Sequence, residues 1–250
     1  MDDLKKGLTA PRPGAVKMRF GSYLSRAALP KRPSDFGHEA LVKEFHMLGN
    51  DQYGNCAWAG AAHETYILTS MVGPRAHVLT SNTLDDYAAC TGFKPDDPAT
   101  DRGTDMQAAA SYRRITGIKD FCGKRHKITA YADIPGGDLE SILTAAWLFG
   151  VAPIGVLIGE AQEEQFRRGQ PWSGDPGKYA GGHYVPVVAR RHGLTYVVTW
   201  GKLHPVTDKF IVNSCNQALA VFSSEMLRNG SSIDGFKAAD LHADLLSLTS

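Results

Sequence analysis

Between Cys56 and Met71 small and apolar residues fall on every face of a helical wheel, a pattern that predicts a buried central helix. Val72-Gly73-Pro74 supplies its stop. Asp96 to Gly103 is loop-like by composition, and Thr104 or Asp105 can cap a helix over Met106 to Thr116 that ends at Gly117. A further helix is predicted over Leu139 to Phe149, leading into the unbroken apolar run Val151 to Ile158, which reads as a buried strand. Gln162 to Tyr179 is rich in Gly and Pro and reads as a long loop. Strand-like runs follow at Tyr184 to Ala189, Leu194 to Thr199 and Ala218 to Phe222, with Phe210 to Asn216 as a candidate helix before the last. Helices come first and strands later. That order predicts an α+β fold in which a helical lobe faces an antiparallel sheet lobe. Residues 1–40 carry Pro11, Pro13, Pro30 and Pro33 without sustained periodicity and read as an extended arm that packs over the domain or grips a partner; residues 41–250 form the domain, two lobes sharing a cleft.

Composition narrows the classes. The 250 residues are 43% hydrophobic and 21% charged, enough for one substantial core. The 27 basic residues balance 26 acidic ones, so no global field favours nucleic acid or an acidic membrane. No apolar run approaches the roughly 20 residues that a membrane span needs. The N-terminus Met-Asp-Asp-Leu-Lys-Lys-Gly lacks the apolar centre of a signal peptide, so the expectation is synthesis in the cytosol with reduced thiols. Cys56, Cys90, Cys122 and Cys215 form no C-x-x-C pair, and the last three read as packing residues. His63-Glu64 lacks a second histidine four residues on, where Ile67 stands, and no phosphate loop or dinucleotide fingerprint occurs. No cofactor and no metal is expected.

Two segments carry candidate chemistry. Gly49-Asn50-Asp51-Gln52-Tyr53-Gly54-Asn55-Cys56 is a polar, Gly-bearing turn that puts a cysteine at the start of the apolar helix, where backbone N–H groups and the helix dipole favour a thiolate. Gly181-Gly182-His183 opens the run Tyr184 to Ala189 and places a histidine where it can serve as that thiol's base.

These residues resemble the papain-like cysteine peptidase superfamily, collinearly over about Met47 to Ser223. Asn55-Cys56-Ala57-Trp58 resembles its cysteine-bearing helix start, with the tryptophan two residues after the cysteine instead of one. Gly103-Thr104-Asp105-Met106 through Thr116-Gly117-Ile118 resembles its Gly-rich loop and helix, and Val151-Ala152-Pro153-Ile154-Gly155-Val156 the strand before its histidine. Gly182-His183-Tyr184-Val185 resembles the histidine strand and Thr199-Trp200-Gly201 the end of Asn-Ser-Trp-Gly. The family's asparagine would align near Val198, which cannot orient an imidazole, so Thr199, a backbone carbonyl, or no third group at all completes the site. The family's oxyanion glutamine lies six residues before the cysteine, at Asn50 here, with Gln52 two residues later as the alternative. The arm, Phe36-Gly37-His38-Glu39 and Val198-Thr199-Trp200-Gly201-Lys202 also resemble uncharacterised proteins of tailed bacteriophages.

The resemblance implies a thiol hydrolase acting on an amide bond in a peptide or in peptidoglycan. Cys56 and His183 are the expected catalytic pair, with Thr199, Asn50 or Gln52 in support, and Gly182, Gly103 and Trp200 at the substrate. The rival expectation is a virion structural component, a decoration, head or tail protein with little or no catalysis, whose arm grips other virion proteins. Either protein would be made in the host cytoplasm, and the second would end in the virion.

Overall fold

The computed structural model describes residues 4–12, 14, 18–23, 31–177 and 179–233. Pro13 and Pro30 of the expected arm and residues 234–250 of the expected domain lie outside them. The helices are α1 (Phe20–Tyr23), α2 (Cys56–Ser70), α3 (Thr80–Thr91), α4 (Met106–Ile115), α5 (Leu139–Phe149), α6 (Glu160–Arg167) and α7 (Asp208–Ser214). The strands are β1 (Phe36–Gly37), β2 (Ile118–Lys119), β3 (Arg125–His126), β4 (Ala130–Ile134), β5 (Ala152–Gly159), β6 (Tyr179–Arg191), β7 (Leu194–Thr199), β8 (Lys202–Val206) and β9 (Cys215–Phe222). The main sheet runs β4-β9-β5-β6-β7-β8, with β1 pairing to β6, and every pairing in it is antiparallel.

As its pattern predicts, α2 is buried on all faces from Cys56 to Thr69. It packs against β6 on one side and touches α3 and α4 on others, so its first residue emerges between the helices and the sheet. Asp105 and Asp138 cap α4 and α5 by accepting from the backbone N–H groups of Ala108 and Ser141.

Several elements depart from what the sequence pattern predicts. The expected Gln162–Tyr179 loop begins inside α6, whose start is closed by the Gln162 side chain accepting from the Gly159 N–H and whose outer face carries Glu163–Arg167 and Glu164–Arg168 pairs. The Gly and Pro that suggested a loop all follow that helix. Helix α3 escapes a hydrophobic-pattern reading because its buried face is Asn82, Thr83, Asp86 and Tyr87, each a polar or hydroxyl-bearing side chain. Strand β8 contains Pro205, which an edge strand tolerates. No helix among the described residues is long and apolar enough to cross a membrane.

Candidate active site

Three residues with positive φ, His46, Leu48 and Gly49, turn the chain into the start of α2. Asn55 donates from Nδ2 to the Leu48 carbonyl at 2.9 Å and locks this turn, while Asp101 accepts from the Gly54 N–H at 3.0 Å and from the Tyr87 hydroxyl at 2.7 Å. Cys56 is thereby fixed as the first helical residue, with the backbone N–H of Tyr184 donating to its Sγ at 3.5 Å.

His183 lies within β6, opposite Val156 of β5, and is 1% exposed. Its Nε2 is 2.8 Å from Thr199 Oγ1, and its Nδ1 has no hydrogen-bond partner. Trp200 stacks on the imidazole with centroids 4.4 Å apart and 19° between planes, and is itself backed by Phe166 and Trp172. The tryptophan adopts a φ of +42°, and Gly201 beside it +72°, because the β7–β8 connection turns there. Thr199 thus sits within hydrogen-bond reach of His183, and Val198 is plain core.

Of the two candidate oxyanion amides the structure brings only one to the cleft. Asn50 is buried, and its Nδ2 lies 3.4 Å from the Lys5 carbonyl and 3.2 Å from that of Tyr53. Gln52 points away: its side chain is exposed in a separate hollow lined by His46, Leu79 and Thr80. The hydrogen-bonded turn over Met47 to Tyr53 leaves Asn50 buried against Lys5 and Gln52 in solvent.

The cleft is not open. Residues 5–9 run through it as a strap that sequence reading had only as part of an extended arm. The Leu8 N–H donates to the Gly182 carbonyl at 3.0 Å; Thr104 N–H donates to Gly7, and Thr9 N–H to the Thr104 carbonyl at 3.1 Å. Trp200 Nε1 donates to the Lys5 carbonyl at 3.1 Å, Gln217 Nε2 to that of Thr9 at 2.9 Å, and Lys6 pairs with Glu163. The approach is so close that a Cβ on Gly103 would lie 2.0 Å from the Gly7 oxygen, and one on Gly182 2.5 Å from the Leu8 oxygen. Gly103, Gly182 and Trp200, the three residues assigned to substrate from sequence, all meet the strap.

Burial under the strap sets the charge state. Desolvation pushes the Cys56 thiol up to about 11, against the pull of backbone N–H groups of Tyr184, Gly7, Ala57 and Cys56 itself. The sequence expectation of a thiolate at the helix start is therefore overridden while the cleft is covered. His183 is depressed to about 3 by burial and, secondarily, by the charge of Lys6. Both members of the pair are neutral at pH 7.

A proton linkage follows. An imidazole at about 3 when covered and near 6.5 when free stabilises the covered state above pH 6.5, and that stabilisation is lost as pH falls from 6.5 toward 3. Going from pH 7.5 to 5 should favour strap release by about 30-fold. Hydrogen-exchange protection of the Leu8 and Thr104 amides is the readout, and equal protection at the two pH values would refute the linkage.

All four cysteines are free thiols, with Cys56 and Cys215 buried, Cys90 half-buried and Cys122 exposed. The described residues contain no cluster of three or more metal-ligating side chains.

No family model matches the sequence, and no curated protein matches it. Solved structures do. Xylellain, a cysteine protease from Xylella fastidiosa, is similar with a TM-score of 0.60 and 12% identity, over 91% of this chain and 99% of that one. A procathepsin B from Trypanosoma congolense gives 0.60 and 12% over 88% and 87% of the two chains. The bromelain protease from Ananas comosus gives 0.54 and 11% over 77% and 100%. The chain has the papain-like fold. Within that fold Cys56 opens the central helix, and His183 stands on the facing strand.

Proposed function

We propose that the chain is a papain-like thiol hydrolase that cleaves an amide bond, and that its structure is the self-covered form. The observation that carries this is a helix-start cysteine that receives a backbone N–H from the residue next to a histidine whose far nitrogen is held by Thr199. With the strap displaced, Cys56 Sγ attacks the substrate carbonyl and His183 Nδ1, the nitrogen left free by Thr199, takes the thiol proton. The C–N bond breaks, the amine leaves with that proton, and water then hydrolyses the thioester with His183 again as base. Asn50 Nδ2 and the Cys56 N–H donate to the developing oxyanion; that Asn50 already reaches toward a carbonyl, that of Lys5, supports this role. Trp200 keeps water from the His183–Thr199 contact. The substrate is a peptide or a peptidoglycan cross-link, and degradation of casein against degradation of cell walls separates the two.

The second reading is a phage virion component that uses the fold as scaffold. It is favoured by the filled cleft, where thiol and imidazole are both neutral. Iodoacetamide discriminates. In a chain lacking residues 1–9, Cys56 is expected to alkylate at pH 7 about tenfold or more faster than the exposed Cys122, as an activated thiol does. A Cys56 no faster than Cys122 sinks the hydrolase reading and leaves the scaffold.

A further inference from the structure

Tyr184, the residue after the histidine, is laid lengthwise along one stripe of α2. Cys56, Gly60 and Glu64 are spaced by four and share a helix face. The Tyr184 N–H meets Cys56 Sγ at 3.5 Å. Its ring lies over Gly60, where a Cβ would come within 2.5 Å of the ring edge. Its hydroxyl donates to Glu64 Oε1 at 2.5 Å. Arg113 closes the arrangement from α4, donating to Glu64 Oε2 at 2.7 Å and to the Tyr184 hydroxyl at 3.2 Å. Glu64 is 0% exposed and Arg113 and Tyr184 are each 3% exposed, so the three groups have only one another to satisfy them.

Buried ion pairs are poor sources of net stability, so this one invites a different explanation. What it fixes is geometry. A tyrosine is a rigid spacer, and with one end on Cys56 and the other on Glu64 it admits a single sliding position of β6 against α2. His183 precedes Tyr184 on that strand, and its ring inherits the position.

We propose that Tyr184, held by Glu64 and Arg113, is a positioning residue that sets the placement of His183 relative to Cys56. The inference rests on the hydrolase reading for its catalytic meaning, but not for its test. In the full chain, imidazole ¹⁵N resonances of His183 and the Cβ resonance of Cys56 are compared for the parent, Tyr184→Phe, Glu64→Gln and Ile134→Val, the last a core change on the outer strand β4. Tyr184→Phe is expected to move both sets of resonances and Glu64→Gln, which keeps an acceptor for the hydroxyl, to move them less, while Ile134→Val lowers Tm and leaves them in place. Unchanged His183 and Cys56 resonances in Tyr184→Phe, with Tm reduced, would overturn the proposal in favour of a merely structural network. In a strap-displaced full chain the same substitution should lower kcat about tenfold with KM little changed, as small misplacements of a catalytic group do. Moved resonances without turnover in any variant would leave the positioning role standing and count against the hydrolase reading alone.

Discussion

The full chain carrying Gly7→Val is expected to alkylate at Cys56 about a hundredfold or more faster than the parent at pH 7. Gly7 crosses the cleft so tightly that a Cβ there would lie 1.9 Å from the Gly54 oxygen, 2.4 Å from its carbonyl carbon and 2.5 Å from its Cα. All three are backbone atoms in a turn pinned by Asp101, so they cannot give way as a flexible side chain would. The strap must leave instead. It forfeits its backbone bonds to Gly182 and Thr104, each worth about 1 kcal/mol net, and the burial of Leu8, worth roughly 1.5 to 3 kcal/mol. Those losses fall on a segment with no helix or strand of its own, and apart from Leu8 the core is built by residues outside it.

The rate follows from the thiol. Covered, Cys56 is held at about 11, which leaves only about one molecule in ten thousand as thiolate at pH 7. Uncovered, it returns toward the ordinary thiol value near 8.5 or falls below it beside an imidazolium, and a few per cent or more is thiolate. Far-ultraviolet circular dichroism should be unchanged. A Gly7→Val chain that stays folded and reacts at the parent rate would mean that the strap does not control the site.

An arm was legible in the sequence but its path through the cleft was not, for a physical reason. Beyond the buried Leu8 and the Lys6–Glu163 pair, it binds through its own backbone and through the absence of side chains at Gly7, Gly103 and Gly182, and such contacts leave no hydrophobic period to read. Helix α2 was legible because its burial on every face is written in composition, and the Asp105 cap, offered beside Thr104, because capping needs only one oxygen at a fixed offset. Glu64 follows His63 in a fragment of a metal motif that lacks its second histidine, and its actual partner Arg113 stands 49 residues away on another helix, a pairing no local pattern encodes. Thr199 was legible as a candidate only through a register question. Neighbours on a strand face opposite ways, so a family position aligned near Val198 and the contact actually made by Thr199 differ by one step and by a whole face of β7.

That step makes Thr199→Val the sharpest test of how His183 is held. Valine matches threonine in shape and β-branching, so β7 keeps its packing while Oγ1 disappears. Nε2 then loses its 2.8 Å partner, and with Nδ1 already unpartnered neither ring nitrogen is fixed. The Trp200 stack still holds the plane of the ring, but stacking does not choose between the tautomers, and only the Nε2–H form leaves a lone pair on Nδ1 for the thiol. In the Gly7→Val background, Thr199→Val is expected to lower kcat on an amide substrate by about 10² to 10³, less than the roughly 10⁴ that a charged orienter can command, because a hydroxyl carries no full charge to stabilise the imidazolium. KM should move little, since Thr199 is buried behind the ring. The pH profile of Cys56 alkylation should lose its inflection below neutrality and approach that of an isolated thiol. Activity within twofold of the parent would instead assign the orientation of His183 to Trp200 alone, and the site would then work as a dyad.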